Sequence, residues 1–279
     1  MKLLFINEYF RTARERYLIK IRRDAGHNSP WTKDKNLQSW RFCNVHREDD
    51  KTTAWFRENI RSKLSGLDVA RATLIFRWFN RIEVGELIKP FLLGKWNEVA
   101  VHDILFEQRF QYGDPVVTGA YMIRTPEGMN KLDGVLYSIR YALPELELIP
   151  QCGSLYEYWR WLLPIHNMGP FLAYEIVSDL RWTDVLGHAT DINTWANAGP
   201  GCAKGLGRVA TGQRKQFNRH NDQEQLMEIM REIYRLAQDK NFWPWPDKPW
   251  EMREVEHWAC EFEKYCAARE GKRLKRRFP

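Results

Sequence analysis

The stretch Ile165-His166-Asn167-Met168-Gly169-Pro170-Phe171 reads as a tight turn opening into a helix, and Asp191 follows twenty residues after Phe171. Asn and Gly tolerate the left-handed backbone, so positive φ at Asn167 and Gly169 would leave the turn's N–H groups pointing outward. The positive end of the helix that begins at Pro170 adds to those donors, and together they make a site for an anion. If the anion is a DNA phosphate, the turn clamps a backbone and Asp191 faces the sugar of a nucleotide drawn out of the stack. A carboxylate there can stabilise a developing sugar oxocarbenium ion and orient water. The alternative is an N-cap for a helix over 191–197, a common use of Asp.

Other residues have the types needed to hold a base. Arg41, Asn44, Arg47 and Asp50 recur every third residue, so on a helix they share one polar stripe. Arg77-Trp78-Phe79-Asn80-Arg81 repeats the Arg-aromatic-Asn pattern. Such groups can hydrogen-bond and stack an extruded base. With Tyr121 and Phe171 they are expected to line a roomy pocket for a polar 5-substituent. For any single member, a buried Arg–Asp pair bridging helices is the competing reading. Downstream, the Gly-rich run 198–208 carries Lys204 and Arg208, whose charges and neighbouring N–H groups could touch phosphates. It lacks G-x-x-x-x-G-K-[ST] and no strand precedes it, so a nucleotide-kinase loop has no support. An ordinary flexible connection is the alternative.

The elements that must position these groups read as helical almost throughout. Helices are predicted at 8–24, 50–64, 68–84, 86–93, 96–107, 129–142, 154–163, 170–180, 191–197, 222–239 and 250–269. The 3–4 spacing of Leu74, Trp78, Ile82 and of Leu226, Ile229, Ile233, Leu236 supports two of them. Ser154 and Thr190 or Asp191 are plausible N-caps. Pro90, Pro115, Pro126, Pro144 and Pro164 punctuate element ends. Residues 116–123 form the one modest strand candidate. No internal repeat, low-complexity block or Gly/Ser linker interrupts the 279 residues.

Hydrophobic content of 44% with thirteen Trp marks a folded chain with a sizeable core. No apolar run approaches the roughly 20 residues of a membrane span, and the N-terminal apolar stretch is too short for a signal peptide. The five Cys are odd in number, scattered and without CxxC, which favours a reducing cytoplasm and gives no metal or iron–sulfur signature. The net charge of +7 favours an anionic polymer. Basic residues crowd the first helix (Arg11, Arg14, Arg16, Lys20, Arg22, Arg23) and the tail (Lys272, Arg273, Lys275, Arg276, Arg277). Solvated faces or disordered ends are the plainer account of such runs.

The hairpin resembles the hydrophobic-Pro-Gly-hydrophobic-Gly signature of the helix-hairpin-helix DNA glycosylases, with His166 and Asn167 where that family prefers Pro and Gly. Members with a lyase step carry a Lys at the position of Phe171. The resemblance therefore implies no amine nucleophile here and a catalytic role for Asp191 alone. The blocks Pro30–Asp34, Arg41–Arg47, Phe76–Arg81, Thr118–Tyr121, Gly169–Leu180 and Glu256–Tyr265 resemble the α-glutamyl/putrescinyl thymine pyrophosphorylase family, which is linked to the helical domain of 5-hydroxymethyluracil DNA kinases. This resemblance spans roughly residues 10–270.

What it implies is an all-α, glycosylase-like fold occupying 1–279, with two helical lobes flanking a cleft. The helix-hairpin-helix would lie at about 155–180, the catalytic-Asp segment at 190–208 and a basic tail at 271–279. The implied partner is double-stranded phage DNA carrying modified bases, with no cofactor, metal or obligate protein partner. Some relatives resemble transferases that build such bases, others defence glycosylases that remove them. The first expectation is excision of a hypermodified pyrimidine, such as glucosylated 5-hydroxymethylcytosine or a 5-hydroxymethyluracil derivative, leaving an abasic site. The alternative is a transferase that displaces (pyro)phosphate from a modified thymine with an amino acid or polyamine. A non-enzymatic DNA-binding protein is the third class.

Overall fold

Leu226, Ile229 and Ile233 fall on one helical face, and α11 (Gln223–Ala237) buries all three. The same logic holds through most of the chain. A computed structural model describes residues 3–119, 121 and 123–278. Those residues form an all-α structure whose one β-type pairing is an isolated bridge between Trp40 and Arg277. The strand expected at 116–123 is absent among its described residues; Ala120 and Met122 lie outside them.

The chain divides into two compact units, one of Met1–Asp50 with Ile192–Pro279 and one of Lys51–Asp191. The first holds α1 (Ile6–Asp24), α2 (Lys35–Ser39), α10 (Pro200–Thr211), α11 and α12 (Met252–Arg269). Its core is aromatic. Tyr9 on α1 donates to Val255 O at 3.0 Å, and Trp258 on α12 donates back to Tyr9 O at 3.2 Å. Tyr9, Phe10, Trp250 and Phe262 pack edge-on or tilted around this exchange.

The second unit holds α3 (Lys51–Asn59), α4 (Gly66–Phe79), α5 (Ile82–Leu93), α6 (Glu98–Tyr112), α7 (Lys131–Glu147), α8 (Leu155–Leu162) and α9 (Pro170–Leu180). α4 is its central rod, buried from Val69 to Phe79 except at Arg71, and it packs on α5, α7 and α9. It stops at Asn80, whose left-handed backbone (φ +47°) turns the chain into α5.

Three expectations change. Pro90 and Pro144 sit inside α5 and α7. Both fall within a turn of the C-terminus, where a missing N–H costs one bond and the helix stops soon after. Residues 191–194 form a turn and 195–197 irregular chain instead of a helix. The Gly-rich run belongs to helix α10, and its glycines serve packing. A Cβ at Gly205 would lie 1.8 Å from Ala259 O, and one at Gly201 would lie 2.4 Å from Cys260 Sγ, so only glycine lets α10 approach α12 this closely.

Candidate functional site

In the second unit α8 and α9 are consecutive helices that pack on each other across the turn at 163–169. α8 opens at Ser154, whose Oγ accepts the Glu157 N–H at 3.0 Å. Its other free donors go to Asp191: Oδ1 accepts Leu155 N–H at 2.6 Å and Oδ2 accepts Tyr156 N–H at 2.9 Å. Asp191 therefore caps a helix, but α8, 35 residues upstream of it, and not the segment that follows it. Thr190 N–H to Gly153 O at 2.9 Å holds the two chain segments side by side.

The turn itself closes with Met168 N–H to Ile165 O at 2.9 Å. Asn167 takes the left-handed conformation at φ +62°, and its Nδ2 donates to Ser138 Oγ on α7 at 2.9 Å. Gly169 does not need positive φ: it is the extended N-cap of α9 at φ −90°, with open space where a Cβ would sit. Pro170 occupies the first helical position, and the N-cap Gly169 has no side chain with which to cap α9. Trp159 on α8 donates to Pro170 O at 3.0 Å and locks the hairpin.

Phe171 projects from this helix end, 47% exposed. Tyr121 meets it edge-on at 4.9 Å and donates its hydroxyl to Glu175, one turn further along α9 and 2% exposed. Arg77 and Asn80 come together as expected, since Arg77 Nη1 donates to Asn80 Oδ1 at 2.8 Å. The rest of the guanidinium turns inward, to Asp179 Oδ1 at 2.7 Å and Thr53 Oγ1 at 3.1 Å, and Arg77 is 1% exposed. Arg61 also approaches Asp179, at 3.8 Å. This is the bridging Arg–Asp pair, joining α4 to α9. Glu175 and Asp179 were missed by sequence reasoning, although two acids four residues apart inside the apolar run of α9 are a readable signal.

The Arg41–Asp50 segment lies in the first unit and is not a helix. It is extended, with a 3-10 turn at Arg47–Asp49, so its three-residue spacing makes no stripe. Arg41 is exposed, and its N–H donates to Arg276 O at 3.1 Å. Asn44 is buried between partners: its Oδ1 accepts from Arg16 at 2.7 Å and its Nδ2 donates to Asp49 O at 2.7 Å. Arg47 is buried as well. The segment leans on α12, where Glu261 accepts Cys43 N–H at 2.9 Å and the Lys264 ammonium at 2.6 Å.

Burial governs the titrating groups in this unit. It pushes Asp50 up to about 6 and Glu254 up to about 8, and it pushes His46 down to about 4 and His257 to about 3. Lys204 is half-buried on α10, and Arg208 is paired with Glu263 (3.2 Å) and Glu270 (2.8 Å). The basic face of α1 is similarly engaged, with Arg11 on Tyr265, Arg14 on Asn241 O and Lys20 on Asp24. All five cysteines are free thiols. No helix among the described residues is long and apolar enough to cross a membrane.

The described residues are helical, with α8 and α9 joined by a turn and α9 opening at Gly169 and Pro170. The family described as the helical domain of 5-hmdU DNA kinase matches residues 4–273, and the chain belongs to it. A 5-hmdU DNA kinase of Bacillus phage SP10 is 25% identical over 290 aligned positions, which cover 92% of this chain and 44% of the relative. The chain thus spans less than half the length of that curated relative. No solved structure matches. The match falls on the kinase helical domain, to which the pyrophosphorylase family named above was linked.

Proposed function

We propose that this chain binds DNA through the α8–α9 hairpin, holds a 5-hydroxymethyluracil-type base out of the stack and cleaves its N-glycosidic bond. The observation that carries the reading is the hairpin: a left-handed Asn167, an uncapped α9 N-terminus, and Asp191 anchored in the same unit by two N–H groups of α8. Membership of the kinase helical-domain family supports the base type.

In this mechanism the phosphate flanking the target sits on the N–H groups at the start of α9 and in the turn at Asn167 and Gly169. Phe171 supplies an exposed ring for stacking, and Tyr121 fixes that ring from the side. As the C1′–N1 bond breaks, its electron pair leaves with the base and positive charge grows on the sugar. Asp191 faces that charge, with both carboxylate oxygens already fixed, so little reorganisation is needed as the charge develops. Water then bonds to C1′, and the proton it loses is balanced by the one the departing base takes up. Arg77 acts as a positioning residue through Asp179, whereas Asn44, held by Arg16, belongs to the other unit. Arg41, Arg47, Lys204 and Arg208 belong to the other unit and are not part of this hairpin site.

A second reading has its own support. Both oxygens of Asp191 accept bonds from α8, which suits a cap, while Glu175 and Tyr121 form a buried acid–hydroxyl pair beside Phe171. Chemistry would then fall on the 5-substituent. An amine would bond to the methylene carbon, (pyro)phosphate would leave with the C–O electron pair, and Glu175 would take the amine proton. Duplex oligonucleotides bearing a single 5-hydroxymethyluracil, bare or (pyro)phosphorylated, incubated with an amino acid or polyamine, separate the two. Excision makes the modified strand alkali-labile and leaves the thymine control intact. A changed base mass with the base still on its sugar supports transfer and contradicts excision.

A further inference from the structure

In the first unit, Cys43 Sγ, an Asp50 carboxylate oxygen and a ring nitrogen of His257 lie within 4.8 Å of one another. Two come from the irregular 43–50 segment and the third from α12, so no sequence spacing announces them. The neighbours hold each in place. Glu261 on α12 accepts the Cys43 N–H at 2.9 Å, and Asn44 N–H binds Asp50 Oδ1 at 3.0 Å, which leaves Oδ2 facing His257. His257 Nε2 is buried with no hydrogen-bond partner and stands 3.7 Å from Asp50 Oδ2. That distance is too long for a hydrogen bond. It is close to the roughly 3.4 Å that separates two ligand atoms of a tetrahedral ion with bonds of about 2.1 Å.

We propose that Cys43, Asp50 and His257 bind one divalent transition-metal ion of zinc type, with a fourth position left for water or a substrate oxygen. The donor set decides the class of ion. Sulfur, imidazole nitrogen and one carboxylate oxygen suit a borderline-soft tetrahedral cation, whereas magnesium and calcium require six or more oxygens. Charge closes the argument. On binding, the thiol loses its proton to solvent, and thiolate plus carboxylate neutralise the two positive charges. A neutral assembly is what a buried site beside Arg16, Arg47, Lys264 and Glu261 can hold. The three residues are half-buried, and His257 Nε2 itself is shielded from solvent. The site is independent of the chemistry proposed for the hairpin.

The test uses the full chain, freed of metal with a chelator and titrated with Zn2+ by calorimetry and with Co2+ by absorption. The expected result is one equivalent bound per chain, with the intense visible bands of tetrahedral Co2+ and a thiolate-to-cobalt charge-transfer band. Cys43→Ser should abolish the charge-transfer band. Asp50→Asn and His257→Gln should weaken binding by more than the roughly 10–100-fold that loss of an outer-shell partner costs. Circular dichroism checks the fold of each variant. Should a variant unfold, the wild-type cobalt spectrum alone decides: octahedral bands, or no charge-transfer band, overturns the proposal. So does a tetrahedral spectrum that survives Cys43→Ser, which would place the ion on another thiol.

Discussion

Arg77 shows how far residue type alone can mislead. Its sequence neighbourhood, Arg-Trp-Phe-Asn-Arg, suggests a base reader, but its partner Asp179 lies 102 positions away and only folding brings them together. Removing that partner strands a buried guanidinium. Asp179→Asn should therefore cost about 3–5 kcal/mol in urea unfolding, most of it from the uncompensated charge. Asp191→Asn tests the opposite case. The amide keeps one acceptor but turns an NH2 toward an α8 N–H, so about 1 kcal/mol of capping should be lost. Turnover should fall far more, by about 10²–10³ or beyond, if the carboxylate faces a developing cation. Lost melting temperature with retained turnover would mark Asp191 as a cap only.

Glu254 gives a pH test. Burial raises it to about 8 in the folded chain against 4.5 when exposed. The folded state thus keeps a proton that the unfolded chain has released, and stability present below pH 4.5 is lost as pH rises through about 8. The loss amounts to a few kcal/mol, at about 1.4 kcal/mol per unit. Buried His46, lowered to about 4, acts in the opposite sense below pH 6.5, so the effect of Glu254 is read between 6.5 and 8. Glu254→Gln should flatten that part of the stability curve; an unchanged slope would contradict the assignment.

Among the elements, α9 was legible to the residue because Pro170 marks its first turn and an apolar run follows. Helix α10 was hidden by its composition. Glycine at 199, 201, 205 and 207 reads as loop, and only the packed structure shows that two of these glycines admit α12. Gly205→Val should be strongly destabilising, by about 3 kcal/mol or more, because the added carbons meet backbone that cannot yield. Gly169→Val is the contrasting substitution. Its backbone is accessible to any residue and its surroundings are open, so melting temperature should change little. DNA affinity should fall, since branched carbons would stand over the α9 N-terminus. Equal affinity would remove the hairpin from the interface. The caps show the same division between local and long-range signals: Ser154 was readable before α8, whereas the part played there by Asp191 required knowledge of the fold.

For the molecule as a whole, the helical class was written in the periodicities, and the link to the kinase helical domain was recognisable along most of the chain. Two lobes were expected, but not that one unit is built from both ends of the sequence, which depends on which apolar faces meet. The net charge of +7 carries less than its size suggests, as many of the basic side chains on α1 and α10 are committed to internal partners. DNA binding should still weaken with salt, at a log–log slope of about −0.9 per phosphate contact. Engagement through one hairpin predicts only a few contacts, and a salt-independent affinity would exclude that mode.

The central claim is that the glycosidic bond breaks. The direct measurement is mass spectrometry of free bases released when the protein is incubated with phage DNA rich in 5-hydroxymethyluracil or its derivatives, beside ordinary thymine DNA and the Asp191→Asn variant. The account predicts a free modified pyrimidine and matching abasic sites from the modified DNA with wild-type protein, and neither from the two controls. Modified DNA returned with every base on its sugar, or release undiminished in Asp191→Asn, would contradict it.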